Sequence, residues 1–402
     1  MKHLAAILLA TLQIQAGAAL ATEIASPSPF SVSGFGTLGA VRTDKDTRAF
    51  RSNTTQSSGA STEFNFSVDS VLGLQGSYKF NSALDVTLQS VVRKDSSDSY
   101  DPTLTFAFLR VHATPALTLR AGRMRTPFFL YSDSLNLNYA SPWVRPPVEV
   151  YSLNPFANLD GLDAFYRLPV GDMELELHAY GGRSDLDARE SSGNLTRIRG
   201  IKASLSDTRL TLQANFAKAN LAMYWNGPTF ISLGHQLIAT GNGQILDQIT
   251  GSGSPTTFIS TSFQYDDDRL LLIGEYAARN VDRFSASATG WYLTSGYRFG
   301  PLTPFITFAR QHQVATDNAA NTGNPSADTA LRVLNAARNK AQTSVAAGMR
   351  WDVRRNLALK AQLERIQPGP DGLGILVSKA VMDSLNPGGP VHVLSLTADF
   401  VF

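Results

Sequence analysis

What most limits the folds open to this chain is the period of its hydrophobic pattern. Segments of nine to twelve residues alternate apolar and polar side chains, as in Leu84–Arg93 (LDVTLQSVVR) and in 173–180, 210–216, 291–299 and 357–364. A helix repeats about every 3.6 residues, and these segments repeat about every two, so they read as strands. Strands of soluble proteins average about five or six residues. A tilted strand crossing a bilayer needs about nine to eleven. After residue 21 no run of about 18 apolar residues occurs, which removes an ordinary membrane helix from the options. A sheet that enters lipid must close on itself, because every backbone polar group there needs a partner.

The punctuation supports closure. Short connections are read at 81–82, 114–116, 169–172, 206–208, 266–268, 300–301 and 353–356. Between them lie long ones at 42–62, 94–102, 126–160, 183–194, 218–256, 280–289, 312–342 and 367–390. Seven short turns at one end and eight long loops at the other give about sixteen strands, the even count and asymmetry of an outer-membrane barrel. The expected fold class is therefore all-β: a transmembrane antiparallel β-barrel with a long constriction loop after strand five. Barrels of sixteen to eighteen strands leave an aqueous channel. Two loops also show helical spacing. Ala330, Leu331, Val333 and Leu334 follow a cap expected at Ser326 or Asp328. The segment 235–249 is a weaker case, interrupted by Gly241 and Gly243.

Composition narrows function. The 402 residues carry 35 Lys+Arg and 33 Asp+Glu, a net charge of +2, which argues against a nucleic-acid binder. With no cysteine, thiolate metal sites and cysteine nucleophiles are excluded. Met1, Lys2 and His3 precede an apolar, Ala-rich run ending in Ala19-Leu20-Ala21. This predicts a cleaved secretory signal peptide at 1–21 and a single barrel domain at 22–402. No G-x-S-x-G, H-E-x-x-H or Walker sequence occurs, and the histidines are scattered. The expectation is a protein that is not an enzyme and needs no cofactor or metal.

The two ends of the mature chain carry a resemblance. The first strand reads FSVSGFGTLGA at 30–40, and the last reads VHVLSLTADFVF and stops at Phe402. With LGLQGSYKF at 72–80 and LRAGRMRTPFF at 119–129, the chain resembles the Gram-negative outer-membrane porin superfamily. The resemblance implies a water-filled channel for passive diffusion of small hydrophilic solutes or ions. It also implies a homotrimer in outer-membrane lipid and an assembly signal at Phe402 read by the barrel assembly machinery. A third external loop folded into the pore is implied as well. Here that loop contains SPWVRPPVEVYSLNPFANLDG at 141–161, which departs from the PEFGGD-like segment of general porins.

Diffusion through a pore is selected by opposed charges at a narrow waist. The candidate constriction is Arg120, Arg123 and Arg125 at the end of strand five, with Arg145, facing Glu149 and Asp160 of the loop. Alternation points Arg123 outward, but a bend at Gly122 could turn it inward. The alternative function is a surface-binding barrel, an adhesin or phage receptor, that uses loops 218–256 and 312–342.

Overall fold

The computed structural model describes residues 28–188, 190–314, 321–370, 372–378, 385 and 388–402. The expected signal peptide at 1–21 lies outside them. The strands are β1 (Phe30–Thr43), β2 (Val71–Lys79), β3 (Leu84–Arg93), β4 (Thr103–His112), β5 (Leu117–Arg125), β6 (Asn158–Val170), β7 (Met173–Ala188) and β8 (Ser191–Ser206). They continue as β9 (Leu210–Trp225), β10 (Gly251–Asp266), β11 (Leu270–Val281), β12 (Ala288–Tyr297), β13 (Leu302–Gln313), β14 (Gln342–Arg354), β15 (Leu357–Pro368) and β16 (Val391–Val401). Each pairs antiparallel with the next, and β16 returns to β1, closing a barrel of sixteen strands.

The alternation decides which way each side chain points. Along β13 the exposed Leu302, Ile306 and Phe308 alternate with buried Thr303, Phe305 and Thr307. Around the barrel the exposed set includes Leu74, Leu88, Leu162, Ile201, Phe216, Trp291, Trp351, Leu363 and Leu396. Large apolar side chains thus cover the outside, where a membrane would lie, while the interior holds polar side chains such as Thr303 and Thr307 together with inward aromatics such as Phe305. This inverts a soluble barrel and fits a membrane-spanning one. No described helix is long and apolar enough to cross a membrane.

Seven tight turns close one end, and the long connections gather at the other. Three loops are shorter than expected. The segment 183–194 is mostly strand: β7 and β8 run 16 residues each, β7 ending at Ala188 and β8 starting at Ser191. Likewise 218–256 shrinks to 226–250, and 280–289 to 282–287. These strands continue past the apolar belt, so the backbone pairing persists where the alternation does not. Over the loop end, α2 (Pro228–Ala239) packs on α4 (Pro325–Arg338) through Leu233, Leu237, Ala327 and Leu331. A short turn, α3 (Leu246–Ile249), adds Ile249 to this cluster. The cap of α4 is neither Ser326 nor Asp328 but Asn324, whose side chain accepts from the Ser326 and Ala327 amides.

Candidate functional site

The segment 126–157, between β5 and β6, does not stay outside. It runs down the interior and packs on the inward side chains of β10 to β16 and β1, across the lumen from its own roots. Leu130 N–H donates to Glu275 (2.9 Å), and Ser260 donates to the Phe128 carbonyl (2.6 Å). Tyr139 reaches the short-turn end, where its hydroxyl donates to the Arg355 carbonyl (2.7 Å). Trp143, 1% exposed, donates its indole N–H to Thr294 and Thr307 (2.9 and 3.1 Å). Val144 N–H donates to Gln362 (3.2 Å).

Cations on the wall take the loop's carbonyl oxygens. Lys360 donates to the carbonyls of Asn138 and Trp143 (2.7 Å each) while pairing with Asp399 at 2.8 Å. Arg350 donates to those of Tyr139 and Ser141 (2.5 and 2.9 Å), and Arg279 to that of Leu153 (2.7 Å). A loop interior carries backbone oxygens without sheet partners, and buried ones must be satisfied. Fixed wall cations do this without a ladder. Pro142, Pro146, Pro147 and Pro155 limit the conformations the segment gives up on seating. Pro147 leads into a single helical turn, α1 (Val148–Tyr151), and sits just before it. At Gly290 the wall has no side chain because the Glu149 carbonyl occupies the place a Cβ would take.

Four of the expected site residues do not form the waist in the expected way. Arg120 pairs with Asp163 of the wall (2.6 Å), which also accepts a hydrogen bond from His178 Nε2 (3.0 Å). Arg123 and Asp160 do pair (2.7 Å), but Asp160 belongs to β6, and the two face outward beside the exposed Leu119 and Leu162. The Gly122 bend does not turn Arg123 inward. Glu149 is fully buried on the far wall, where its carboxylate accepts from Gln342 (2.7 Å). It is therefore not opposite the β5 arginines.

Arg145 and Arg125 do border open space. Arg145 forms a bidentate pair with Asp69 (3.0 and 2.8 Å), lies 3.5 Å from Glu364 and contacts Ser395. Burial alone would lower its pKa, but the Asp69 and Glu364 charges outweigh that and raise it. The open space is a cavity of about 320 Å³ between the loop and β2 to β5. Its lining includes Asp69, Arg93, Arg125, Asn136, Arg145 and Asn154. Arg93 donates to Asn136 (3.4 Å), and Arg125 to Asn158 (3.2 Å). Neither has a carboxylate within ion-pair distance among the described residues. Asp95, Asp185 and Asp187 line the same cavity. A second cavity, about 290 Å³, opens toward the short-turn end and is lined by Tyr131, Tyr139, Asp266, Arg298 and Arg350.

Alternation marks Arg93, Arg350 and Lys360 as inward-facing, but nothing in their sequence tells which loop atoms they hold. Asp69 carries no signal, because its role depends on the distant Arg145. Among the described residues no group of His, Asp and Glu is arranged to hold a metal.

No family model and no curated protein sequence matches the chain. Solved structures do, and they are Gram-negative outer-membrane porins and channels. The outer membrane channel DcaP of Acinetobacter baumannii is 12% identical with a TM-score of 0.55, covering 95% of this chain and 100% of its own. An anion-selective porin from Comamonas acidovorans is 12% identical at 0.54, covering 93% and 99%. OmpT of Vibrio cholerae is 12% identical at 0.52, covering 94% and 100%. At such identities the likeness is one of fold, and the fold this chain shares with them is a closed transmembrane β-barrel of sixteen strands.

Proposed function

We propose that the protein is an outer-membrane channel through which small hydrophilic solutes or ions diffuse passively. The observation that carries this reading is the polar, charged cavity between the inserted loop and β2 to β5, inside a wall whose exterior is apolar. Diffusion of this kind needs no cofactor and no chemical step, and we assign no catalytic residue. The proposed waist is Arg93 and Arg125 on the wall, with the Arg145–Asp69 pair and Asn136 at the loop face. Arg120 and Arg123 are assigned to wall structure instead. The same reading makes residues 1–21 an export signal and Phe402 part of the signal for the barrel assembly machinery. It places the protein in outer-membrane lipid as a homotrimer, as one Vibrio cholerae OmpT structure is described.

Two guanidinium groups without carboxylate partners among the described residues focus a positive potential where the channel is narrowest. Purified protein in planar bilayers conducts without an energy source. Replacing both Arg93 and Arg125 by Gln shifts the reversal potential in a salt gradient toward cations. Folded wild-type protein that stays silent overturns the channel reading. Unchanged selectivity in the double variant puts the waist elsewhere.

A further inference from the structure

We infer that the cavity between the inserted loop and β2 to β5 binds a polyhydroxylated organic anion about the size of one hexose, a sugar acid or a sugar phosphate. The inference rests on the reading of this cavity as the passage and adds the chemistry of the solute. Size is the first observation. The cavity measures about 320 Å³. Small-molecule sites span roughly 300–1,000 Å³, and a halide or an acetate would fill only a small part of such a volume.

The second observation is an anion-binding pair without a resident anion. Arg93 and Arg125 end β3 and β5, and both line the cavity. Arg125 is 6% exposed. Each guanidinium gives one hydrogen bond to an amide oxygen: Arg93 to Asn136 (3.4 Å) and Arg125 to Asn158 (3.2 Å). Their remaining N–H groups have no partner among the described residues. Most acids of the lining are engaged elsewhere. Asp69 pairs with Arg145 (2.8 Å) and Asp185 with Arg183 (3.4 Å), while Asp95 accepts from the Ser97 and Ser99 amides (2.8 and 3.0 Å). Asp133 of the loop acts on Arg125 through its charge but stays beyond ion-pair distance.

The third observation is the set of neutral groups beside the two cations. Asn136 and Asn158 give their oxygens to the arginines, which leaves each Nδ2 to donate. Asn154 is the reverse: its Nδ2 donates to the Phe156 carbonyl (2.9 Å), which leaves Oδ1 to accept. Asp187, near the end of β7, also lines the cavity and has no ion pair among the described residues. Hydroxyl groups both donate and accept, so a row of them matches this mixture of donors and acceptors. A carboxylate or phosphate accepts parallel hydrogen bonds from the guanidinium groups. A simple anion meets only the arginines, and a neutral sugar meets only the amides and Asp187. A solute carrying both kinds of group meets them all.

The test uses titration calorimetry on the folded full chain in neutral detergent. The probes are glucuronate and a hexose monophosphate. The controls are glucose, which lacks the charge, and cyclohexanecarboxylate, which lacks the hydroxyls. At least one probe binds about tenfold or more tighter than both controls, because a site built to hydrogen-bond hydroxyls rejects an analogue without them. The tighter of the two probes names the anionic group. The R93Q/R125Q variant brings that affinity down to the level of glucose, and N136A/N158A brings it down to that of cyclohexanecarboxylate. Probes that bind no better than either control overturn the inference, as does full affinity in either variant. Conductance in planar bilayers is measured on the same preparations. A conducting wild type without the preference overturns this inference and leaves the channel reading standing. A folded wild type that binds the probe but stays silent supports the site and overturns the channel reading.

Discussion

Glu149 sits against the wall with no cation in ion-pair distance among the described residues. One of its oxygens accepts from Gln342, and the other has no hydrogen-bond partner among the described residues. Glu364 and Arg145 line the same small space, with Ser344 beside them. Burial raises the Glu149 pKa above its ordinary 4.5. The folded state therefore holds this proton more tightly than an unseated loop does. Its contribution to seating is complete below about pH 4.5 and is lost as pH rises through the raised value, falling by about 1.4 kcal/mol for each pH unit crossed. Deuterium exchange of residues 141–157 is expected to speed up over that window, and Glu149→Gln to weaken the pH dependence, the remainder coming from Glu364 beside Arg145. Exchange that is flat with pH in the wild type would show that the proton does not hold the loop.

At the scale of the element, the seam between β16 and β1 shows what the sequence makes legible. The pattern at 391–402 predicts a strand with Leu394, Leu396, Ala398, Phe400 and Phe402 on the outer face, because lipid demands apolar side chains at every second position, and the strand forms as expected. Gly34 and Gly36 suggest close packing there. In the structure the Phe402 ring covers Gly34 and the Phe400 ring covers Gly36, where a Cβ would collide with them. Gly34 and Phe402 also exchange backbone hydrogen bonds of 2.8 and 2.9 Å. Gly34→Val is expected to destabilise the folded barrel by about 1–3 kcal/mol. In a Phe402→Ala background the same change should cost less, since the colliding ring is gone; equal costs in a double-mutant cycle would refute this contact. The constriction is less legible than the seam. Opposite charge suggests that Arg123 meets Asp160, and the two do pair, but neither reaches the lumen, because alternation holds through Gly122. Glu149 looks like a water-facing charge, and only the three-dimensional course of the loop puts it against Gln342. Strand faces follow a local rule, whereas the partners of a loop charge lie far along the chain, 76 positions away for Arg145 and Asp69 and 193 for Glu149 and Gln342.

On the scale of the whole molecule, a sixteen-strand wall is too wide for its own side chains to fill. The inserted loop supplies the filling, and the wall meets it with inward apolar side chains, most of them on β10 to β13 but also Phe106 and Phe108 of β4 and Tyr180 of β7. Phe258, Ile273, Tyr292 and Phe305 point inward and pack with Phe128, Phe129, Trp143 and Leu153 of the loop in one apolar cluster. The opposite side, β2 to β5, contributes Arg93, Thr105 and Arg125 to the cavity and stays wet. The same chain thus builds a dry apolar seat, which fixes the loop, and beside it a polar cavity, which can pass solutes. Deleting residues 142–153 removes the Trp143 anchor and the α1 turn together and strips the cover from that apolar wall. Water then has to occupy the vacated space. Single-channel conductance is expected to rise about twofold or more, since the passage is set by its narrowest section. The same variant should unfold at lower temperature, because apolar surface once packed becomes exposed at roughly 25 cal/mol per Å². A folded deletion variant with wild-type conductance would mean that this loop does not limit the passage, whatever it contributes to stability.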